Sequence, residues 1–414
     1  MKIIVIGNGG REHALAWKIS QNEKVEKIYC IPGNGGTHYE NKCENKNLKN
    51  SKEILEFALN EKIDFTIVGP ENYLVDGIVD EFQKNNLKIL GPDKNTSQLE
   101  ASKDYAKKFM KKYNVRTASY ESFTQYDKAV EYIKTHQYPL VIKADGLAAG
   151  KGVIICEDFK TAEEALKNIM IDKIFNDSGN KVVIEEFLTG KEASVLSITD
   201  GKTIIPFLSS KDHKQIEDGD KGLNTGGMGV ICPNPYFTKE IEKDFIENIM
   251  KPTLEGIQKE KMNYKGIIFF GVILKDNKNY LLEYNVRFGD PETQAVLPLM
   301  KTDFFELIQT AYEEKLNENE IEWENKNSCC VVAASKGYPL EYKTGYEIKG
   351  YDNLESKVFF AGAKIEQNKI LTSGGRVLAV TSVEKSLQEA IEKSYIDIEK
   401  ISFANIYFRK DIGR

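Results

Sequence analysis

The sequence predicts an α/β protein. An N-terminal doubly wound parallel sheet is followed by a larger central region of mixed strands and helices and by a small C-terminal α+β domain. Two observations carry this. Short apolar runs alternate with amphipathic helical segments through roughly the first hundred residues, the pattern of a parallel sheet covered on both faces. Each of those runs also ends in glycine or proline–glycine chemistry, and ligands bind at the carboxyl ends of strands in such sheets. At 414 residues the chain exceeds what one ordinary core holds, so several domains are expected.

Composition narrows the class. Hydrophobic residues make up 41% and charged residues 29%, the profile of a soluble globular protein. A net charge of −6 gives no reason to expect nucleic acid or a membrane as partner. The apolar run at 3–6 is too short for a signal peptide, and no run has the length of a membrane span, so a cytoplasmic location is expected. Cys30, Cys43, Cys156, Cys232, Cys329 and Cys330 form no C-x-x-C pair and read as structural residues of a reducing compartment. Four scattered histidines argue against a histidine-rich metal centre.

In chain order, 3–6, 28–31, 65–68 and 88–90 read as strands, and 11–20, 51–60 and 74–82 as helices. Ser51 is the expected N-cap of the second helix, with Ile54, Leu55 and Ala58 on one stripe. The strands end at Gly7-Asn8-Gly9-Gly10, Pro32-Gly33-Asn34-Gly35-Gly36-Thr37, Gly69-Pro70-Glu71 and Gly91-Pro92-Asp93. Glycine-rich turns can expose backbone N–H groups to anions, and two dense clusters at neighbouring strand ends favour a phosphate site over tight turns alone. A dinucleotide site fits poorly. Glu12 stands where G-x-G-x-x-G needs its third glycine, and no acid follows Ile31 to take a ribose hydroxyl.

Residues 97–113 read as helical, with Lys103, Lys107, Lys108, Lys111 and Lys112 by default a solvated face. Residues 139–155 read as strand, small-residue loop, strand. Lys143 at the strand end and Lys151 in the loop flank backbone donors, which suits a polyphosphate. This is no P-loop: three residues separate Gly146 from Gly150, and Gly152 rather than Ser or Thr follows Lys151. Residues 182–195 read as a strand, a polar bend and a strand, able to offer backbone groups to a base and a carboxylate to a ribose. The long polar segment from Lys211 to Gly229 is of a kind usually functional or disordered. In it, Asp212 and Lys214 suit the two ends of an amino acid, and His213 reads as a hydrogen-bonding partner before a catalyst.

Residues 265–275 read as a buried strand, followed after a short turn by Leu281–Glu292. Glu283 and Asn285 are two apart, so on a strand both point to one face and make a hard-oxygen half-site for Mg²⁺ or Mn²⁺. Arg287 continues the alternation as an anion fork, and Gly289 and Pro291 turn Asp290 and Glu292 towards it. The bland alternative is a hairpin end with solvated charges. A helix at 302–316, a polar boundary at 317–327, strands at 329–334, 358–360 and 377–380, the turn Thr372-Ser373-Gly374-Gly375-Arg376 and a helix at about 387–400 complete the chain.

A lysine-bearing strand, a glycine loop, a hinge with carboxylates and an acid-x-Asn strand, in that order, resemble the ATP-grasp superfamily. Gly7-Asn8-Gly9-Gly10-Arg11-Glu12-His13-Ala14, Pro32–Thr37 and Arg287-Phe288-Gly289-Asp290-Pro291-Glu292 narrow the resemblance to the phosphoribosylamine–glycine ligase family, over the full length to Tyr407–Gly413. The expected domains are then 1–101, 102–318 and 319–414, the central one an ATP-grasp fold of two α+β subdomains with a lid at about 118–190. The resemblance implies that ATP phosphorylates glycine to glycyl phosphate. The amine of 5-phosphoribosylamine then displaces phosphate, giving glycinamide ribonucleotide in the second step of purine synthesis. ATP, glycine and 5-phosphoribosylamine are the implied partners, with transient contacts to neighbouring purine-pathway enzymes.

It also implies roles. Glu283 and Asn285 would hold the metal; Lys103, Lys143 and the loop with Gly146, Gly150, Lys151 and Gly152 the ATP phosphates; Glu185, Glu186 and Leu188 the adenine; and Glu192 the ribose. Arg287 and Asp290 would serve the acyl transfer, Arg287 by stabilising the transferring phosphoryl group or by holding glycine, with Asp212, Lys214 and Asp290 around the amino acid. Phosphoribosylamine would lie on Gly9, Gly10, Gly33, Asn34, Gly35, Gly36, Thr37 and Glu71. One departure stands out: many relatives carry a metal-binding acid on the preceding strand, and 265–275 has none. Another ATP-grasp ligase, such as a carboxylase using bicarbonate, is the alternative, disfavoured by asparagine-bearing glycine turns that fit a phosphosugar. A non-catalytic nucleotide-binding regulator is expected to lose part of the site, and Glu283, Asn285, Lys143 and Arg287 are all present.

Overall fold

The structure, a computed structural model, describes residues 1–147, 152–316 and 321–414. Strands β1 (Lys2–Gly7), β2 (Lys27–Pro32), β3 (Cys43–Asn45), β4 (Phe65–Val68) and β5 (Ile89–Pro92) lie parallel in the order β5-β4-β1-β2-β3. All of β4 and Ile3–Gly7 of β1 are buried, which is why these strands are predominantly apolar, with Thr66 the exception in β4. The helix expected at 51–60 is Ser51–Glu61, but Asn50 is its cap, accepting from the Glu53 amide. The helix expected at 74–82 is two, Glu71–Asp76 and Ile78–Lys84, divided at Gly77 with φ 94°, a left-handed conformation that favours glycine. The helix expected at 97–113 restarts at Ser102, whose hydroxyl caps the Tyr105 amide.

Strands β6 (Tyr120–Phe123), β7 (Leu140–Ala144), β8 (Val153–Cys156) and β9 (Val182–Glu186) form a separate four-stranded antiparallel sheet in the order β6-β9-β7-β8. It has its own core, including Ile142, Leu166 and Ile184. There follow β10 (Lys191–Thr199), β11 (Ile204–Pro206), β12 (Lys211–Asp212), β13 (Gln215–Glu217), β14 (Lys221–Asn224), β15 (Gly229–Cys232), β16 (Tyr264–Lys275) and β17 (Lys278–Asn285). Strand β16 is the seam of the molecule. Tyr264 and Lys265 pair with Pro92 and Gly91 of β5, and the rest of β16 pairs with β10 on one edge and β17 on the other. The N-terminal parallel strands and these antiparallel ones therefore make one nine-stranded sheet.

The chain ends with β18 (Asn327–Ser335), β19 (Lys357–Phe360), β20 (Ala363–Glu366), β21 (Lys369–Thr372), β22 (Arg376–Glu384) and β23 (Ile406–Tyr407). The C-terminal sheet, β12-β15-β18-β22-β19, takes β12 and β15 from the middle of the chain. Cys329 and Cys330 are buried in β18, and all six cysteines are free thiols. Among the described residues no helix is long and apolar enough to cross a membrane.

Candidate active site

A cavity of about 580 Å³ opens between the β6–β9 sheet and strands β10, β16 and β17, within the size range of small-molecule sites. At one end it is walled by Val141, Ile155, Leu188 and Leu282, with Glu186 beside them. Lys143, from β7, reaches Glu185 Oε1 at 2.8 Å and the Leu282 carbonyl at 3.4 Å. The other oxygen of Glu185 pairs with Lys107 Nζ at 2.8 Å, so one buried carboxylate carries two lysines. The side chain of Glu185 thus faces the lysines and leaves only its backbone for a base. Lys107 corrects the sequence expectation: it is not on a solvated face but buried, and burial pulls its ammonium down to about 8 despite Glu185. Lys103 and Lys107 lie four apart on the helix Lys103–Lys112, hence on one face, but Lys107/Lys111 and Lys108/Lys112 share that spacing, so it does not single Lys107 out. Lys103 Nζ donates to the Gly146 carbonyl at 3.1 Å, and Gly146 and Gly152 line the cavity. Gly150 and Lys151 lie outside the described residues.

On β17, Glu283 and Asn285 face the cavity together, opposite Gly271 and Phe269 of β16. Burial works against the Glu283 charge, but Lys214, Lys143, Lys103 and Arg287 hold its carboxyl below the ordinary value. Among the described residues none forms an ion pair with it, and none supplies a cluster of three or more acids, histidines or cysteines for a metal. The donors are therefore hard oxygens, one of them charged, with the remaining coordination left to a ligand, as Mg²⁺ at a polyphosphate requires.

Arg287 spans the next stretch of wall. It pairs with Glu71 at 3.2 Å and with buried Glu100 at 2.9 Å, and donates to Asn285 Oδ1 and the Phe288 carbonyl, each at 3.1 Å. Glu100 also accepts from the Val286 amide at 2.7 Å, so it grips both the side chain and the backbone of this segment. Asp290 accepts from Gln294 at 2.8 Å and from the Arg11 amide at 3.4 Å, and its carboxylate forms an ion pair with Arg376 at 3.4 Å. Burial opposes its charge, but Arg376 and Arg11 keep its carboxyl low, which makes it an ionised acceptor. Arg376 also donates to the carbonyls of Gly226 and Asp290, bringing a C-terminal cation into the cavity. Sequence reasoning missed Glu100, Arg11 and Arg376 as site residues; for Arg376 the glycine turn ahead of a strand was the available signal.

The N-terminal turns depart from the expected anion cradle. Glu12, the residue that argued against a dinucleotide, itself occupies the first turn and accepts from the Gly9 amide at 2.6 Å. In the second, Asn34 Oδ1 accepts from the Gly36 and Thr37 amides at 2.8 and 3.0 Å, the Asn34 amide donates to Thr37 Oγ1 at 2.7 Å, and the Gly33 and Gly35 amides go to the carbonyls of Gly7 and Ala363. These acceptors take up the Gly9, Gly33, Asn34, Gly35, Gly36 and Thr37 amides, so at those positions the turns shape the wall rather than present free N–H groups. Gly10 packs closely on Gln294, with no room for a Cβ. Glu71 and Arg11 are the residues of this region that line the cavity.

At the remaining side, Lys214 pairs with Glu192 at 2.5 Å, joining the expected glycine lysine to the expected ribose acid. Burial lowers the Lys214 ammonium, but Glu192, Glu283 and Asp212 raise it above its ordinary value. Asp212 Oδ1 is buried without a hydrogen-bond partner, and burial together with nearby Glu292 pushes its carboxyl well up. Glu292 accepts from Ser194 at 3.1 Å. His213 faces away: Nδ1 donates to the Gly229 carbonyl at 3.1 Å and Nε2 accepts from the Gly413 amide at 3.3 Å. Burial and Lys211 pull it down to about 4, so it is neutral at physiological pH. Because its folded value lies below the unfolded 6.5, the stability it contributes is complete above that pH and is lost as pH falls through 4. The loss is on the order of 3 kcal/mol. His213→Gln is expected to flatten that part of a curve of denaturation midpoint against pH and to change neutral-pH turnover little; a curve of unchanged slope contradicts this.

A small antiparallel sheet closing over a larger one, with lysines from the first facing an acid-x-amide pair on the second, is the ATP-grasp arrangement. Comparisons with known proteins agree. Descriptions of the phosphoribosylglycinamide synthetase N domain, ATP-grasp (A) domain and C domain match residues 1–100, 101–293 and 328–414. The phosphoribosylamine–glycine ligase of Clostridium acetobutylicum is 62% identical over all of both chains, and that of an Escherichia coli strain is 44% identical over 100% of this chain and 98% of the relative. The crystal structure of the Thermotoga maritima phosphoribosylamine–glycine ligase superposes over all of both chains with a TM-score of 0.88 at 33% identity. A biotin carboxylase domain from Hydrogenobacter thermophilus shares the fold, with a TM-score of 0.75 at 14% identity over 98% of this chain and 91% of that one. The chain belongs to the phosphoribosylamine–glycine ligase family of ATP-dependent ligases.

Proposed function

We propose that the chain joins glycine to 5-phosphoribosylamine, giving glycinamide ribonucleotide, ADP and phosphate through glycyl phosphate, in the second step of purine synthesis. The observation that carries this reading is the convergence of Lys103, Lys143, Glu283, Asn285 and Arg287 on one cavity. Lys143 and Lys103 neutralise the ATP phosphates, with Gly146, Gly150, Lys151 and Gly152 as further phosphate contacts. Adenine lies against Leu188 and the backbone of Glu185 and Glu186, and Glu192 meets the ribose. Glu283 and Asn285 would hold Mg²⁺ or Mn²⁺, which when bound offsets phosphate charge and favours in-line geometry.

Asp212 accepts from the glycine ammonium and Lys214 faces its carboxylate. Arg287, fixed by Glu71 and Glu100, meets charge developing on the transferring phosphoryl group, the preorganised kind of stabilisation that contributes most to such reactions. The 5-phosphoribosylamine lies between Glu71, Arg11, Asp290 and Arg376, along the wall shaped by Gly9–Gly10 and Gly33–Thr37. Its amine attacks the acyl carbon, the bond to the phosphate oxygen breaks, and phosphate leaves. The β6–β9 sheet acts as a lid that keeps water from the acyl phosphate. Units at 1–101, 102–318 with the lid at about 118–190, and 319–414 divide these tasks in a cytoplasmic enzyme that meets its pathway neighbours transiently.

ADP release with glycine and freshly generated 5-phosphoribosylamine tests the proposal. Omitting either substrate is expected to suppress it; a rate indifferent to both omissions rules the reaction out.

A further inference from the structure

The last residues of the chain grip the outer side of the β13–β14 hairpin. Arg409 Nη1 donates to the Gln215 carbonyl at 2.9 Å, and Nη2 pairs with Asp220 at 2.9 Å. Asp411 holds the same guanidinium at 2.8 and 2.7 Å and also accepts from the Gly219 amide at 2.7 Å. Tyr407 Oη donates to the Ile216 carbonyl at 2.7 Å, and the Lys410 amide to Asp218 at 2.9 Å. The Gly413 amide reaches His213 at 3.3 Å. Every contact lies within 213–220, directly beside Asp212 and Lys214.

The hairpin needs such support. It is a two-stranded sheet that pairs with no other described strand, and all of β14 is exposed. An isolated two-stranded hairpin is marginally stable in water. Its inner end nevertheless carries Lys214, whose carbonyl accepts from the Thr225 amide and whose ammonium lies in the cavity on Glu192. Arg409 is outside the cavity yet only 1% exposed, the largest of the fully buried side chains. A buried guanidinium is tolerated when its donors are matched, and here the hairpin supplies part of the match.

We infer that residues 407–413 form a strap that sets the position of Asp212 and Lys214 for glycine, with Arg409 as its central positioning residue. The inference rests on the proposed assignment of Asp212 and Lys214 to the amino acid. Arg409 touches no substrate and acts through the Gln215 backbone.

The test varies glycine and ATP separately in the full-length chain. Arg409→Gln is expected to raise the glycine KM about tenfold, the worth of one charge-assisted hydrogen bond, while the ATP KM stays within about twofold. Arg409→Lys should restore part of the glycine affinity, and Tyr407→Phe, which deletes one O–H, should raise the glycine KM less. If Arg409→Gln does not fold, Tyr407→Phe and Asp411→Asn carry the test. Folded strap variants with an unchanged glycine KM, beside a Lys214→Ala variant that raises it, overturn the strap. If Lys214→Ala leaves the glycine KM unchanged, the glycine assignment itself fails, and the strap's role with it.

Discussion

Glu283→Gln is expected to lower turnover about a hundredfold or more, with the deficit largest at limiting Mg²⁺. The substitution keeps volume and one oxygen donor but removes the charge of the half-site. That charge is held by Lys214, Lys143, Lys103 and Arg287 without a direct ion pair to any described residue, so its loss frees no partner and disturbs little packing. The melting temperature should therefore remain near that of the parent chain. ADP release titrated against Mg²⁺ decides the matter: a parental rate at limiting metal removes Glu283 from the metal site.

Arg287→Met is expected to act on rate and stability together. Loss of its guanidinium from the transferring phosphoryl group should lower kcat about a thousandfold. It also strands Glu100, which is buried and drawn upward in pKa by burial even with the arginine beside it. Breaking a buried pair by removing one partner costs about 3–5 kcal/mol. Adding Glu100→Gln should recover much of that stability, because a neutral amide can still meet the Val286 region without an uncompensated charge, and should recover none of the rate. Denaturant unfolding and single-turnover kinetics on both variants separate the two effects. A double variant that regains both stability and rate shows that Arg287 is structural only.

Four strands of the N-terminal sheet were legible because they are buried on both faces, whereas the half-buried β3 carries no apolar run and was not expected. The cap at Asn50 was missed by one residue because Asn50 and Ser51 are both good caps, and only the geometry towards Glu53 separates them. Glu283 and Asn285 were legible as a pair because strand alternation is local. Lys107 was not, since in a helix of five lysines only the partner from β9 reveals which one is buried. The glycine turns look like anion cradles because glycine spacing is visible in sequence, whereas Glu12 and Asn34, which accept the Gly9, Gly36 and Thr37 amides, look like ordinary polar residues until folded. The entry of β12 and β15 into the C-terminal sheet was beyond reach: strands of two and four residues carry almost no periodic signal, and β18, on which β15 pairs, lies about a hundred residues on.

Strand β16 also works as a ruler. One end is stitched to β5 in the N-terminal sheet, and the middle of the strand, at Phe269 and Gly271, backs Asn285 and Glu283. From Lys265 to Gly271 the span is roughly 20 Å at about 3.3 Å per residue, set by covalent backbone and not by a flexible linker. The N-terminal turns and the acid-x-amide pair, the proposed amine side and metal side of the cavity, are thus graduations on a single strand. Movement of the β6–β9 sheet leaves their separation unchanged.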